Sequence, residues 1–484
     1  MNKIYKSIIL SATLALGLTS CNDWLDVAPK SQLEEKDLFS RETGYNDQLV
    51  GVYSQMCNTN MYGLQETVGF AEILSQNYNI NSNSTTWRYV RDYNYSNTNV
   101  ESILAGIWKG SYSCIANLNI LLENIEKRSV LTSHLDSLYR GEAIGLRAFL
   151  HLELMRYFAA APAMSTTANG VPYVTQYGTQ VVGQKSVGET MQLIINDLET
   201  AYRLLKADIV CPESPKYEAD TNDSKARMFR FNYYACCATL ARAYLYNGDK
   251  ANALKYAQEV IDVNNAETQT NYAFSWVHYS VAQTTNKNDW QPSFYTEMIF
   301  RLANNDWEEN GNKYLHAAMG ANALSPTYDF AQEVYELNAG LGSDLRLKWC
   351  FEQDGADKML SKLWYVDGRS ANGYLPLIRM TESYLIAAEC LADTDPVKAI
   401  GYINDIRTNR GLSSFLLPEE LTSEQIKNEV YKEYRKEFLG EGQLFFYYKR
   451  LNATDIPGSS TKGGKAVYVM PIPSNDQEFG GYSN

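Results

Sequence analysis

Residues 230–264 read RFNYYACCATLARAYLYNGDKANALKYAQEVIDVN. Apolar and small residues recur at helical spacing on both sides of Asn247-Gly248-Asp249, which is itself a turn signal. The stretch therefore predicts two helices joined by a tight turn. Ala241, Tyr244, Gly248, Asp249, Ala253 and Ala257 mix small side chains with an aromatic one, which lets two helices approach closely.

The same theme extends outward. These six positions match where tetratricopeptide repeats place small and aromatic residues. Residues 378–410, IRMTESYLIAAECLADTDPVKAIGYINDIRTNR, repeat it, with Ala387, Ala388 and Ala399 as small positions and Asp395-Pro396 opening the second helix. Residues 101–127 carry Ile103, Ile107, Ile115, Leu118, Leu122 and Ile125 at helical spacing. Residues 137–159 do so with Leu146, Phe149, Leu150, Leu154 and Phe158, and Pro162 ends the run. Residues 186–205 open with Ser186 followed three places later by Glu189, the spacing of a capping box. Helical pairs that recur without a strict period predict a mostly α chain with an irregular α-solenoid core. Long loops separate the pairs at 57–100, 264–330 and 453–484. Their aromatic content argues against disorder and for function.

The amino end reads MNKIYKSIILSATLALGLTSC. Lys3 and Lys6 precede an apolar run too short to span a bilayer, which needs about 20 residues, but suited to a secretory signal. Leu-small-small-Cys resembles the lipobox of bacterial lipoproteins. Residues 1–20 are thus expected to be a lipoprotein signal peptide, with Cys21 as the lipid-bearing first residue of a single mature domain, 21–484. Multiple acyl chains hold a protein at a membrane where one does not. Loss of Lys3 and Lys6 takes the net charge from −13 to −15. That acidity argues against nucleic-acid binding and against a polybasic lipid-binding face.

The other cysteines, Cys57, Cys114, Cys211, Cys236, Cys237, Cys350 and Cys390, fit no zinc or redox spacing and no disulfide framework. Tyrosine outnumbers phenylalanine, 36 to 16. Because a buried tyrosine must satisfy its hydroxyl, the excess predicts half-wet aromatic surfaces and tyrosines closing helix–helix contacts. No catalytic or metal motif survives inspection. His134, His151, His278 and His316 have no ligand spacing, and His151 reads as structural. GSSTKGGK, 458–465, has Gly464 where a phosphate loop needs Lys. Asp220, Asn222 and Asp223 lack the EF-hand glycine. The acid pair Glu308-Glu309 has no glycosidase context. No cofactor and no enzyme activity is expected.

Several stretches together resemble one family. NDWLDVAP after Cys21 is similar to the opening of the SusD/RagB family of nutrient-binding outer-membrane lipoproteins from Bacteroidetes. IWKGSYSCIANLNILL resembles its Trp, Tyr, Ile and Asn pattern at Trp108, Tyr112, Ile115 and Asn117. GEAIGLRAFLHLELMRYFAAAP resembles another of its motifs at Gly141, Glu142, Ala143, Leu146, Arg147, Ala148 and Pro162. ATLARAYLYNGDKANALKYAQEVI, IRMTESYLIAAECL, YINDIRTNRGL and MPIP follow in family order. EGQLFFYY departs from it, with Leu444 where Arg is usual and Tyr447 where Asp is usual. Those positions are i and i+3 on a helix and can touch. Losing both charges together leaves neither one buried and unpaired.

The resemblance implies a scaffold of about four tetratricopeptide-like units with aromatic-rich loops on the other side. It implies attachment to the outer face of the outer membrane. Its implied partner is a SusC-like TonB-dependent β-barrel transporter, to which the chain delivers an oligosaccharide, or in some members a peptide. Sugars offer flat C–H faces to aromatic rings and hydroxyls to Asn, Asp and Arg. The loops with that mixture, 85–99 and 271–295, nominate Trp87, Arg88, Tyr89, Tyr93, Tyr95, Trp276, Tyr279 and Trp290 as ligand-binding residues. Trp307 and Tyr314 stand in reserve. A repeat-type protein adaptor would lack converging aromatic loops. A hydrolase would place two carboxylates about 5 to 9 Å apart in the cleft.

Overall fold

The computed structural model describes residues 35–81, 83–128, 130–218, 221–265, 274–307, 324–327, 330–354, 357–363 and 373–484. The signal segment, Cys21, Asp220, Glu308-Glu309 and Tyr314 lie outside them. Helices dominate: α1 (Glu42–Met56), α2 (Thr85–Arg91), α3 (Thr98–Arg128), α4 (Ser133–Phe158), α5 (Val187–Leu204), α6 (Tyr233–Tyr246), α7 (Lys250–Asn265), α8 (Met380–Leu391), α9 (Pro396–Asn409), α10 (Ser423–Glu437), α11 (Leu444–Arg450) and α12 (Ser474–Gly480), with shorter helical turns between. Consecutive helices pack as pairs, α3 on α4, α4 on α5, α6 on α7 and α8 on α9, and α7 also packs on α8. Among the described residues no helix is long and apolar enough to cross a membrane.

The α6–α7 pair shows how the sequence builds this. Asn232 caps α6 by accepting from the Ala235 amide at 2.9 Å, which satisfies one of the amides a helix start leaves unpaired. Gly248 turns the chain at φ +84°, a conformation glycine adopts without a Cβ penalty. Ala241, Ala253 and Ala257 are fully buried. Tyr244 and Tyr256 stack at 5.8 Å, and both donate to Glu199 of α5, at 2.8 and 2.7 Å. Tyr202 and Tyr233 share Glu259 in the same manner, each at 3.2 Å. These contacts absorb part of the tyrosine excess. The α5 capping box forms as the spacing predicts, with Ser186 and Glu189 exchanging bonds at 3.2 and 3.0 Å.

Glu142, Arg147 and His151 of α4 are structural. Glu142 accepts from Tyr53 at 2.7 Å, Arg227 at 2.9 Å and Arg230 at 2.7 Å. Arg147 pairs with Asp197 at 2.6 Å and donates to Asn119 at 2.9 Å, tying α4 to α5 and α3. His151 is fully buried. Its Nδ1 lies 2.9 Å from the Arg147 carbonyl, and its Nε2 accepts from the Val174 amide at 3.0 Å. That pairing fixes the proton on Nδ1, and burial holds the pKa down to about 3.

Among the described residues, three two-stranded antiparallel pairs interrupt the helices. β1 (Tyr78–Asn79) pairs with β3 (Ser325–Pro326), β2 (Met298–Ala303) with β6 (Tyr374–Arg379), and β4 (Phe351–Asp354) with β5 (Asp357–Leu360). Glu297, Asp344, Arg346 and Arg379 fasten their segments to α10 and the end of α9 by a buried ionic network. Arg346 donates to Asp344, Glu433 and Glu437, at 2.6, 2.8 and 2.9 Å. Arg379 reaches Glu437 and Glu441, each at 2.8 Å. Arg410 reaches Glu297 at 2.8 Å and Glu437 at 2.7 Å.

The expected loop 57–100 is more ordered than its composition suggests. Residues 61–78 are largely buried, and TTWRYVR forms α2. Trp87 and Val90 face inward at the i, i+3 spacing, so burial of one face overrides the weak helix propensity of Thr, Trp and Val. In the divergent EGQLFFYY segment, Leu444 and Tyr447 are both buried on α11. The Tyr447 ring lies 4.9 Å from Tyr434 and 5.1 Å from the Arg450 guanidinium. Ring contacts occupy that space.

Candidate functional site

The nominated residues divide by exposure. On α2, Arg88 is exposed and Tyr89 half-buried, while Trp87 is buried beneath them. Tyr93 is buried, with its hydroxyl donating to the Leu74 carbonyl at 3.1 Å and its ring 6.2 Å from Phe445. Burial pushes the Tyr93 phenol up to about 12. Tyr95 is also buried and donates to the Val467 carbonyl at 2.7 Å. Trp87, Tyr93 and Tyr95 therefore sit inside the packing. They offer no open ring face in this structure, which departs from their expected place at the surface. They fix the base from which Arg88 and Tyr89 project.

The backbone around them is constrained. Gln76 and Tyr93 both adopt positive φ, +65° and +54°. Gln76 donates to the Arg91 carbonyl at 2.8 Å. A Cβ on Gly458 would lie 2.8 Å from the Gln76 carbonyl oxygen. Three separate loops, near 76, 91–93 and 456–459, thus converge, and strained backbone of this kind concentrates at functional sites.

The second nominated group rests on the ionic network. Trp276 is half-buried, 5.0 Å from the Tyr384 ring and 5.6 Å from the Arg410 guanidinium. Trp290, also half-buried, ends a stack. It lies 6.3 Å from Trp349, which lies 5.6 Å from Phe294, which in turn carries Arg410 at 4.2 Å. Lys348 and Lys287 approach the Trp290 ring at 5.3 and 5.6 Å, within cation–π range. Tyr279 opens a five-residue helical turn, Tyr279–Gln283. Trp307 is fully buried and donates to the Leu363 carbonyl, so it belongs to the core. A cleft of about 720 Å³, lined by Ser54, Asn58, Phe229, Arg230, Asn305 and Asp306 among others, includes none of the nominated residues.

The first group packs against residues 444–468 and the second against 349, 384 and 410. They form two patches, each with buried aromatics below and half-exposed ones above. Aromatic composition locates these loops in the sequence but does not tell which ring faces out. The convergence of Gln76 with Gly458 had no local signal. Among the described residues no group of three or more His, Cys, Asp or Glu is placed to hold a metal. Every described cysteine is a free thiol, all of them buried except half-buried Cys57.

Comparison with known proteins covers most of the chain. Residues 23–245 match the SusD-like family model described as "Starch-binding associating with outer membrane", and residues 358–481 match the SusD/RagB model, described as the SusD family. The chain is 21% identical to SusD-like protein P25 of Formosa agariphila, over 90% of this chain and 88% of the relative. A SusD superfamily protein from Bacteroides vulgatus superposes with a TM-score of 0.71 at 22% identity, over 91% of this chain and 98% of that one. A laminarin-binding SusD-like protein superposes with a TM-score of 0.66 at 20% identity, over 90% and 97%. At these identities the superpositions establish the fold.

Proposed function

The chain belongs to the SusD/RagB family, a glycan-binding family, and we propose that it captures a nutrient oligosaccharide at the cell surface. It passes the sugar to a SusC-like TonB-dependent β-barrel in the outer membrane and breaks no bond itself. A lipid on Cys21 holds it at the outer face of that membrane. The observation that carries the binding role is the two patches built from residues 85–95 and 274–295. Arg88 and Tyr89 project from a base of buried aromatics, while Trp276 and Trp290 are half-exposed rings braced from behind by Tyr384, Trp349 and Arg410. Rings braced in this way lose little freedom when a sugar stacks on them. Arg88, with neighbouring Asn81, Asn83 and Asn94, supplies hydroxyl partners. Tyr279 belongs to the same proposed surface, and Trp87, Tyr93 and Tyr95 support it.

The test is calorimetry of the mature chain against plant, host and microbial polysaccharides, with laminarin among the first. Binding to one class is expected to weaken about tenfold or more in Trp290→Ala or Trp276→Ala, the loss typical of a central contact residue (about 1.4 kcal/mol). Unchanged affinity in both variants would remove these patches as the site. Binding of peptides and no glycan would move the protein to the peptide-binding reading.

A further inference from the structure

One cavity is lined by none of the nominated residues. A groove of about 750 Å³ runs between α3 and the carboxyl-terminal segment 471–482. We propose that it is a second carbohydrate site, which takes an uncharged oligosaccharide. The proposal rests on the reading of the chain as a glycan binder but not on where the first site lies.

The floor is set by the helical period. Leu104, Trp108 and Tyr112 follow one another at i, i+4 and form one stripe of α3. Leu104 and Trp108 are buried and form the base of the stripe: Trp108 is clamped edge-on against Phe158 at 5.0 Å and backs the more open Tyr112 ring at 4.8 Å. Tyr112 is half-buried and donates to the Pro172 carbonyl at 2.8 Å. Tyr482, also half-buried, sits beside Trp108 with ring centroids 6.4 Å apart and donates to the Val182 carbonyl at 3.1 Å. Both hydroxyls are spent on backbone carbonyls, so each ring is locked in orientation and contributes its apolar surface to the groove.

The opposite wall is fixed as well. The Met470 amide donates to the Tyr157 carbonyl at 3.2 Å, and the Ile472 amide to the Asn484 side chain at 3.0 Å. The rim is polar and uncommitted. Glu101, Lys109 and Asp476 line it, and none of them has an ion-pair partner among the described residues. Rigid aromatic walls with a few free acceptors and donors at the edge match a sugar, with C–H faces against rings and hydroxyls against carboxylates. The volume falls in the range of small-ligand sites, roughly 300–1,000 Å³. Two carboxylates face one ammonium on a chain of net charge −13, which disfavours uronates and sulfated sugars.

Hydrogen exchange of the mature lipidated chain in detergent micelles separates the two sites. The probes are laminari-, malto- and xylo-oligosaccharides, with polygalacturonate as the charged control. Expected is slowed exchange at 98–113 and 471–482 with a neutral probe. Asp476→Ala and Tyr482→Ala should abolish that protection, lower the number of bound oligosaccharides, and leave protection at 83–97 and 274–295 intact. Protection of the groove alone would uphold this proposal while overturning the loop-bearing site. Protection of the loops alone, or of the groove by polygalacturonate alone, would overturn it. Protection nowhere would overturn both.

Discussion

Tyr244 and buried Tyr256 meet over half-buried Glu199 between the helix pairs, whereas Arg346, Arg379 and Arg410 meet over fully buried Glu437. The first region uses small residues, stacked rings and local caps. The carboxylates that take its tyrosine hydroxyls, Glu199 and Glu259, are only half-buried. The second fastens loop-bearing segments to α9 and α10 through charges that are almost wholly buried. Burying a charge is costly unless its partners are all present. The scaffold should therefore tolerate the loss of one contact, while the loop-bearing half should depend on a few carboxylates at once.

The largest effect is expected from breaking that dependence. Glu437→Gln keeps the shape but removes the charge that Arg346, Arg379 and Arg410 share. Leaving buried guanidiniums short of a carboxylate should cost about 3–5 kcal/mol. Urea unfolding followed by tryptophan fluorescence checks it, since Trp276, Trp290 and Trp349 adjoin the network. A loss under ~1 kcal/mol would show that the remaining carboxylates suffice and that the contrast between the regions is false.

Acid should sharpen the same contrast. Burial by itself would raise Glu433, but Arg346, Lys436 and Arg407 pull it down to about 2 from an ordinary 4.5. Glu437 lies well below the ordinary range because Arg410, Arg379 and Arg346 overcome its own burial cost. A carboxylate depressed in the folded state contributes stability that is fully present above pH ~4.5. That stability drains as pH falls towards 2. For Glu433 alone the shift corresponds to roughly 3 kcal/mol. Hydrogen exchange at pH 3 should open residues 297–303 and 374–379 before α6 and α7. Simultaneous opening would mean that the two regions unfold as one unit.

The same physics explains what could be read from the sequence. The pairs 230–264 and 378–410 were legible because helical periodicity, caps and turn residues all lie within a few positions of one another. The network was not. Arg410 meets Glu297 across 113 residues and Arg346 meets Glu437 across 91, and a charge in a sequence looks the same whether exposed or buried. The candidate site falls between these cases. Its loops were visible by composition. Yet Trp87 and Arg88 are adjacent in sequence and one is buried while the other is exposed, because α2 forms only against the body of the protein. The groove beside α3 had half a signal, the Trp108–Tyr112 spacing. Its other wall comes from residues 471–482, more than 350 positions away.

The smallest effect tests the scaffold side. Ser186 and Glu189 hold the start of α5 by a reciprocal pair of bonds at the surface. Ser186→Ala removes one acceptor from an amide that water can still reach, so the expected loss is about 1 kcal/mol. Thermal unfolding measures it, and Ser186→Asp, which restores a capping acceptor, should recover most of the loss. The double variant Ser186→Ala, Glu437→Gln should lose the sum of the two single effects, because distant sites with no shared partner add. A loss well beyond the sum would show that the cap and the network support one another, and that the boundary between a locally held scaffold and a charge-held loop side runs elsewhere.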